Sequence, residues 1–361
     1  MKRIALSFIT LMLVTCAFAQ SQTTVVTGRV NAAKKVTLYN VANRKNELAS
    51  AEVVNNQFTL NATTDKDAFI MLMTYGEEPQ TFAFVNDGEA IDVDMTTNQL
   101  KGSALNEKFA KYLAVDNLTN YEMMKLYQEY GKLRQNDSPE TKERLEAITV
   151  AYDSLETRRT DFYKQIAREN QDNILPAYFI PTIAMGMEYV ELKALLNEQA
   201  TYYNHPAMER AKMILASLEK RQPGRMYEDL TMNDLDGKEV KLSQWAGQGK
   251  YVLVDFWASW CGPCRAEMPT VVKSYEQFKE KGYEIVGVSF DQKAENWKKG
   301  VADLGMTWPQ MSDLKGWGCA AHEVYGVNSI PSNILLDPKG KIIASDLRGE
   351  DLIKMLEKIF E

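Results

Sequence analysis

Histidine is almost absent from this chain: only His205 and His322 occur in 361 residues. Cysteine is nearly as scarce, with Cys16, Cys261, Cys264 and Cys319. So small a stock rules out a disulfide-stapled scaffold. A zinc site would need a second ligand pair beside the closest two cysteines, and only Cys319, His205 and His322 remain, at no readable spacing. No metal and no cofactor is called for. Long apolar runs are missing beyond the first residues, so no later segment is able to span a bilayer as a helix. A basic excess is missing too. The formal net charge is −7, or −9 without Lys2 and Arg3, and no Lys/Arg cluster offsets it, which argues against nucleic acid or an anionic membrane surface as partner. Internal repeats and low-complexity tracts are also lacking.

What is present is enough chain for two to three domains. Residues 1–19 read as a signal peptide: Lys2-Arg3, the apolar run Ile4 to Val14, and the small-residue cleavage signal Ala17-Phe18-Ala19. Leu13-Val14-Thr15-Cys16 raises a lipoprotein alternative anchored at Cys16, although Thr15 fits poorly where Gly, Ala or Ser is usual. Residues 20–102 carry short period-two segments (Val25–Val30, Lys35–Tyr39, Phe58–Leu60, Phe69–Met73, Phe82–Val85, Ala90–Met95) broken by the turns Asn55-Asn56 and Asn86-Asp87-Gly88. They predict a small all-β sandwich-like domain. Residues 103–222 switch to helical spacing, with Ser138-Pro139-Glu140 as a helix start. His205, in Asn204-His205-Pro206, reads as a loop histidine. Gln222-Pro223-Gly224 marks the boundary to a last domain, 223–361, where strands and helices alternate.

That domain holds the stretch around which the chain is organised, Val252-Leu253-Val254-Asp255-Phe256-Trp257-Ala258-Ser259-Trp260-Cys261-Gly262-Pro263-Cys264. An apolar strand runs through a short aromatic turn into a helix that begins at the cysteines. Two intervening residues let both sulfurs meet, and the helix N-terminus favours a thiolate there. Such a dithiol serves metal, peroxide or disulfide chemistry; the metal partners are missing, and the Pro and Thr that a peroxidatic cysteine would want before it are absent from Asp255 to Trp260. Asp255 lies in an otherwise apolar strand. An unpaired acid there would carry a raised pKa and serve as a proton acceptor near Cys264, the alternative being a carboxylate that reaches solvent. Glu267 follows Cys264 by three positions on one helical face, where a plainer role is to complement its own helix dipole. Trp257 and Trp260 are expected to wall the site and Pro269 to kink the helix. Cys319 reads as a small buried thiol, with a third redox cysteine, or a pairing with His322, as the alternatives.

Trp260-Cys261-Gly262-Pro263-Cys264, preceded by Val254-Asp255-Phe256-Trp257-Ala258, closely resembles the thioredoxin active site. Arg265-Ala266-Glu267-Met268-Pro269, and Ser329-Ile330-Pro331-Ser332 before a hairpin with Asp337-Pro338-Lys339-Gly340, are similar to the exported TlpA/ResA-like branch of thiol-disulfide oxidoreductases. The β-rich and helical regions ahead of it resemble the layout of multidomain relatives from Bacteroidetes-type bacteria, in which the β-rich part is DUF4369-like. The resemblance implies an α/β thioredoxin fold at the C-terminus. It implies catalysis by Cys261 as exposed attacking thiolate and Cys264 as buried resolving thiol, with Asp255 and Glu267 tuning them. It implies substrate contact by Trp260, Gly262, Pro263, Ile330 and a cis Pro331. Protein thiols and disulfides are then the partners, together with a membrane electron donor if the protein works as a reductant outside the cytoplasm; clients range from apocytochrome thiols in cytochrome c biogenesis to misoxidised proteins. From a different class, the chain would be a partner-binding or chaperone-like module with an accessory thioredoxin domain. Oligomeric state is not legible.

Overall fold

The computed structural model describes residues 21–76, 79–135 and 138–361. The leader and the lipidation alternative at Cys16 lie outside the described residues. The chain divides into two compact units between Tyr178 and Phe179.

Among the described residues of the first unit, eight strands form two four-stranded sheets. They are β1 (Ser21–Arg29), β2 (Ala33–Asn40), β3 (Asn43–Glu52), β4 (Gln57–Asp65), β5 (Phe69–Gly76), β6 (Thr81–Val85), β7 (Ile91–Asp94) and β8 (Gln99–Lys101). The sheet orders are β4-β1-β7-β8 and β3-β2-β5-β6. Period-two patterning aims Val26, Phe58, Leu60, Ile91 and Val93 inward from one sheet, and Val36, Leu38, Ile70, Leu72 and Phe84 from the other, into one core. Sequence periodicity overlooks β3 and β8. The first is a polar edge strand, mostly exposed and paired within its sheet to β2 alone, so it needs no apolar face. The second has three residues, with Leu100 its one buried side chain.

Two long helices follow, α1 (Ala104–Leu133) and α2 (Pro139–Glu169), capped by Ser103 accepting from the Asn106 N–H and Ser138 accepting from the Thr141 N–H. Buried Asn106 accepts from the Val85 N–H at 2.7 Å and donates to the Val85 carbonyl at 3.0 Å. It thereby fixes α1 to the end of β6 as a strand partner would. Between the helices Arg144 pairs with Glu129, and the buried Tyr163 hydroxyl donates to Asp116.

The second unit opens with short helices: the rest of α3 (Pro176–Ile183), then α4 (Tyr189–Leu195) and α5 (Glu209–Glu219). A hairpin, β9 (Thr231–Asn233) and β10 (Glu239–Lys241), precedes an alternating array. Its members are β11 (Tyr251–Trp257), α6 (Gly262–Phe278), β12 (Tyr283–Ser289), α7 (Ala294–Asp303), β13 (Gln310–Met311), α8 (Ala320–Tyr325), β14 (Ser332–Leu336), β15 (Ile342–Ser345) and α9 (Gly349–Phe360). The five-stranded sheet has the order β13-β12-β11-β14-β15. β12 is parallel to β11 and β13, whereas β14 runs antiparallel to β11 and β15. β11 is central and buried from Val252 onward, as its unbroken apolar run requires.

This unit begins ahead of the boundary read at Gln222-Pro223-Gly224. Arg221 is 7% exposed, and its guanidinium meets Asp346 at 3.0 Å and the Gly326 carbonyl at 2.8 Å. The left-handed Gly326 packs so close to Ser217 that a Cβ would lie 2.3 Å from its carbonyl oxygen. Arginine at a helix end reads as a solvated charge, so this anchor is invisible until the chain is folded.

Candidate active site

β11 delivers the chain through Ala258-Ser259-Trp260 to α6. The turn is held from beneath: buried Asp291 accepts from the Ser259 N–H at 2.9 Å, from the Ser259 hydroxyl at 2.6 Å and from the Ser289 hydroxyl at 2.8 Å. Cys261 is the N-cap of α6, where Gly262 and Pro263 form the exposed first positions of the helix. Proline is tolerated there because its missing N–H has no helical acceptor to lose. Cys261 and Cys264 are joined as a disulfide. The Cys264 N–H points at Cys261 Sγ, 3.2 Å away. The helix start thus offers a donor and its positive dipole end to that sulfur.

Cys261 is 4% exposed and Cys264 1%, so the first cysteine is not the exposed group expected from its place at the turn. The fold closes over it: the Ile330 carbonyl oxygen stands 3.7 Å from Cys261 Sγ, and the Ile330–Pro331 peptide bond is cis. Ile330 and Pro331, 69 and 70 positions along, therefore do sit beside the cysteines. Trp260 is 54% exposed. Trp257 is not a wall of the site: it is fully buried, its indole N–H donating to Gln310 at 3.2 Å. Pro269 lies inside α6.

Asp255 is buried, and its Oδ2 has no hydrogen-bond partner. Burial pushes its pKa from 3.8 up to about 7; the Arg348 guanidinium opposes the rise and the Glu267 carboxylate adds to it. Glu267 accepts from the Gly349 N–H at 2.7 Å, capping α9. It therefore joins the active-site helix to the last helix, which neither sequence reading of it contained. Arg348 donates to the Pro331 carbonyl and, at 2.9 Å, to the Leu347 carbonyl. Asp346 accepts from the Ser332 hydroxyl at 2.6 Å and pairs with Arg221. The junction Asp346–Gly349 is thus a clamp on the cis-proline turn, on Glu267 and, through charge, on Asp255.

Sequence reasoning missed Asp291, Arg348, Asp346 and Trp317. The last is 45% exposed, its ring 6.3 Å from that of Trp260. An isolated arginine or aspartate in a loop carries no local signal; only Trp317, in a Trp- and Gly-rich loop, had a compositional one. Cys319 is buried, and desolvation raises its thiol to about 12, which keeps it protonated and unreactive at neutral pH. The His322 ring does not turn to it, since Nδ1 lies 2.9 Å from the Val327 carbonyl.

A sheet with a Cys-x-x-C disulfide at the mouth of its central strand, faced by a cis-proline turn, defines a thioredoxin-fold exchange protein. Comparison with known proteins agrees. The family model described as AhpC/TSA family matches residues 223–345, and one described as a domain of unknown function, DUF4369, matches residues 24–109. Thiol-disulfide oxidoreductase ResA of Bacillus thuringiensis subsp. konkukian is 33% identical over 140 residues, 39% of this chain and 78% of the relative. ResA of Bacillus anthracis is 34% identical over 142 residues, 39% and 79% of the two chains. Among solved structures, the thioredoxin domain of a thiol-disulfide oxidoreductase from Bacteroides vulgatus has 41% identity and a TM-score of 0.36, covering 39% of this chain and 99% of that one. A thiol:disulfide interchange protein from Bacteroides sp. has 40% identity and a TM-score of 0.36, covering 39% and 91%. By these two ResA relatives, the chain belongs to the ResA thiol-disulfide oxidoreductase family, and it is an enzyme of that class.

Proposed function

We propose that the protein is an exported disulfide reductase that exchanges dithiol for disulfide through Cys261-Gly262-Pro263-Cys264. The observation that carries this reading is the placement of Cys261 Sγ at the α6 N-terminus, 3.2 Å from the Cys264 N–H, which lowers the cost of a thiolate there. In the reduced enzyme the Cys261 thiolate attacks one sulfur of a client disulfide and releases the other as a thiolate. Cys264 gives its proton to Asp255, whose pKa of about 7 suits that exchange. It then attacks Cys261 Sγ, expelling the second client thiolate and leaving the Cys261–Cys264 disulfide. Two electrons have moved to the client, and a membrane donor restores the dithiol.

Burial sets the acidity of Asp255, and Arg348 and Glu267 adjust it in opposite directions; the Ile330 backbone offers an edge to an extended client segment. The leader read at residues 1–19 supports export. Among the described residues no helix is long and apolar enough to cross a membrane.

The test is insulin reduction by wild type and Cys261→Ser. Activity that survives the substitution removes the assignment. Absence of activity in wild type with any reductant favours the other class, a partner-binding or chaperone-like module in which the β-rich and helical regions ahead of residue 223 select partners and the thioredoxin domain is accessory. Direction is tested separately by equilibrating the Cys261–Cys264 couple with glutathione; a strongly oxidising potential would make the protein an oxidase.

A further inference from the structure

The exposed aromatic surface beside the disulfide is larger than Trp260 alone. Trp317 projects from the loop between β13 and α8, and its ring meets the Trp260 ring in a T-shaped arrangement at 6.3 Å. Behind it stands the buried Phe290, 5.4 Å away. Both residues are about half exposed, 54% for Trp260 and 45% for Trp317. Nothing within the described unit covers them further.

The loop is built to hold that ring in place. Asp313 accepts from the Lys315 N–H at 3.1 Å and from the Ala320 N–H at 3.0 Å, tying the two ends of the loop together. The Ser312 hydroxyl donates to the Ser289 carbonyl at 2.9 Å, which anchors the loop to β12. Gly316 has φ of +57°, and a Cβ there would come within 2.8 Å of the Gln292 side chain. The left-handed backbone there favours glycine in the turn that presents Trp317. Cys319, at the end of the same loop, is buried, and its thiol is hydrogen-bonded to Asp313. A large apolar side chain held rigid and left in water is the form of a recognition residue, because little freedom remains to be lost on binding.

We propose that Trp260 and Trp317 together form a platform for an aromatic or large aliphatic side chain flanking the reacting cysteine of a client polypeptide. The reading rests on the proposed attack of Cys261 on protein disulfides and narrows its substrate class. Position argues for the occupant: Trp260 directly precedes Cys261, whose sulfur lies beside the Ile330 carbonyl. A client joined to Cys261 and extended along Ile330 keeps its cysteine between that edge and the two indoles, so the residues next to its cysteine are those that reach the platform.

The experiment uses the full chain and two disulfide-linked peptides that differ only in the residue beside cysteine, Phe or Ser. Wild type is expected to reduce the Phe peptide about tenfold faster in kcat/KM, through KM. In Trp317→Ala the preference should fall to near unity, while Trp317→Phe, which keeps an aromatic face, retains most of it. A preference of near unity in wild type, or one that survives in Trp317→Ala, overturns the platform. So does sedimentation showing a wild-type dimer that Trp317→Ala dissolves, since the patch would then be a self-association face. Reduction of hydroxyethyl disulfide separates the two layers: if wild type reduces neither it nor either peptide, the reductase reading fails, whereas intact reduction without a preference sinks the platform alone.

Discussion

Replacing Asp255 with asparagine removes a buried carboxyl while keeping its shape, and the effect on stability has a sign and a size fixed by the site. The folded protein holds the Asp255 proton up to about pH 7, whereas the ordinary carboxyl lets it go near 3.8. Between those values the native state binds more protons than the unfolded chain, so stability falls as pH rises. The fall is complete above pH 7 and amounts to about three pKa units, or about 4 kcal/mol. Asparagine has no such titration. Its amide pays a desolvation cost at every pH, since Oδ2 lacks a hydrogen-bond partner, but that cost adds a constant and leaves the slope untouched. Urea unfolding of the oxidised proteins at pH 4, 5.5, 7 and 8.5 measures this. All six tryptophans lie in the second unit, so indole fluorescence reports the domain that matters. Asp255→Asn should gain on wild type by about 1.4 kcal/mol per pH unit between pH 4 and 7 and by nothing further above it. A difference that stays constant from pH 4 to 8.5 would refute the reasoning, since Asp255 would then titrate alike in both states.

Changing the charges around Asp255 should move this step in opposite directions. Arg348→Gln removes an attracting charge and shifts the step to higher pH; Glu267→Gln removes a repelling one and shifts it lower. The same urea series detects both, and shifts of equal sign would contradict the arrangement. Arg221→Met leaves Asp346 and the Gly326 carbonyl without their buried partner, so the second unit should lose about 3 kcal/mol, read as a lower urea midpoint; an unchanged midpoint would mean that the helical lead-in is not anchored there. Cys319, buried with its thiol raised to about 12, should resist iodoacetamide at pH 8 in the oxidised protein and react once urea unfolds it. Peptide mapping by mass spectrometry follows the label, and rapid labelling of the native protein would return Cys319 to the list of redox candidates.

How far these groups were legible in advance depended on the range of the interaction that defines them. The cysteine pair, the strand before it and the helix after it are contiguous, and local rules of capping and burial describe them: Pro263 suits a helix start and Val252–Trp257 suits a central strand. The sandwich was legible from period two wherever a strand buries one face. It was lost at β3, an exposed edge strand, and at β8, too short to show a period. Trp257 was placed at the site because it neighbours Trp260, but strand alternation turns it toward Gln310 instead.

The residues that complete the site obey no local rule. Arg348 lies 87 positions beyond Cys261 and Asp291 lies 30 beyond it; each matters through a partner brought near by sheet order. Glu267 was noticed for its spacing from Cys264, yet its bond is to Gly349, 82 residues away. The sequence by itself determined the chemistry available, a dithiol at a helix start with a carboxyl in the strand before it, because those features are set by neighbours along the chain. The tertiary structure alone decided how that chemistry is tuned and presented: the closing of Ile330 over Cys261, the opposed charges of Arg348 and Glu267 on Asp255, and the meeting of Trp260 with Trp317. Electrostatic and packing energies depend on distance in space, and separations of 30 to 87 residues become ångströms only when β11, β12 and β14 lie side by side.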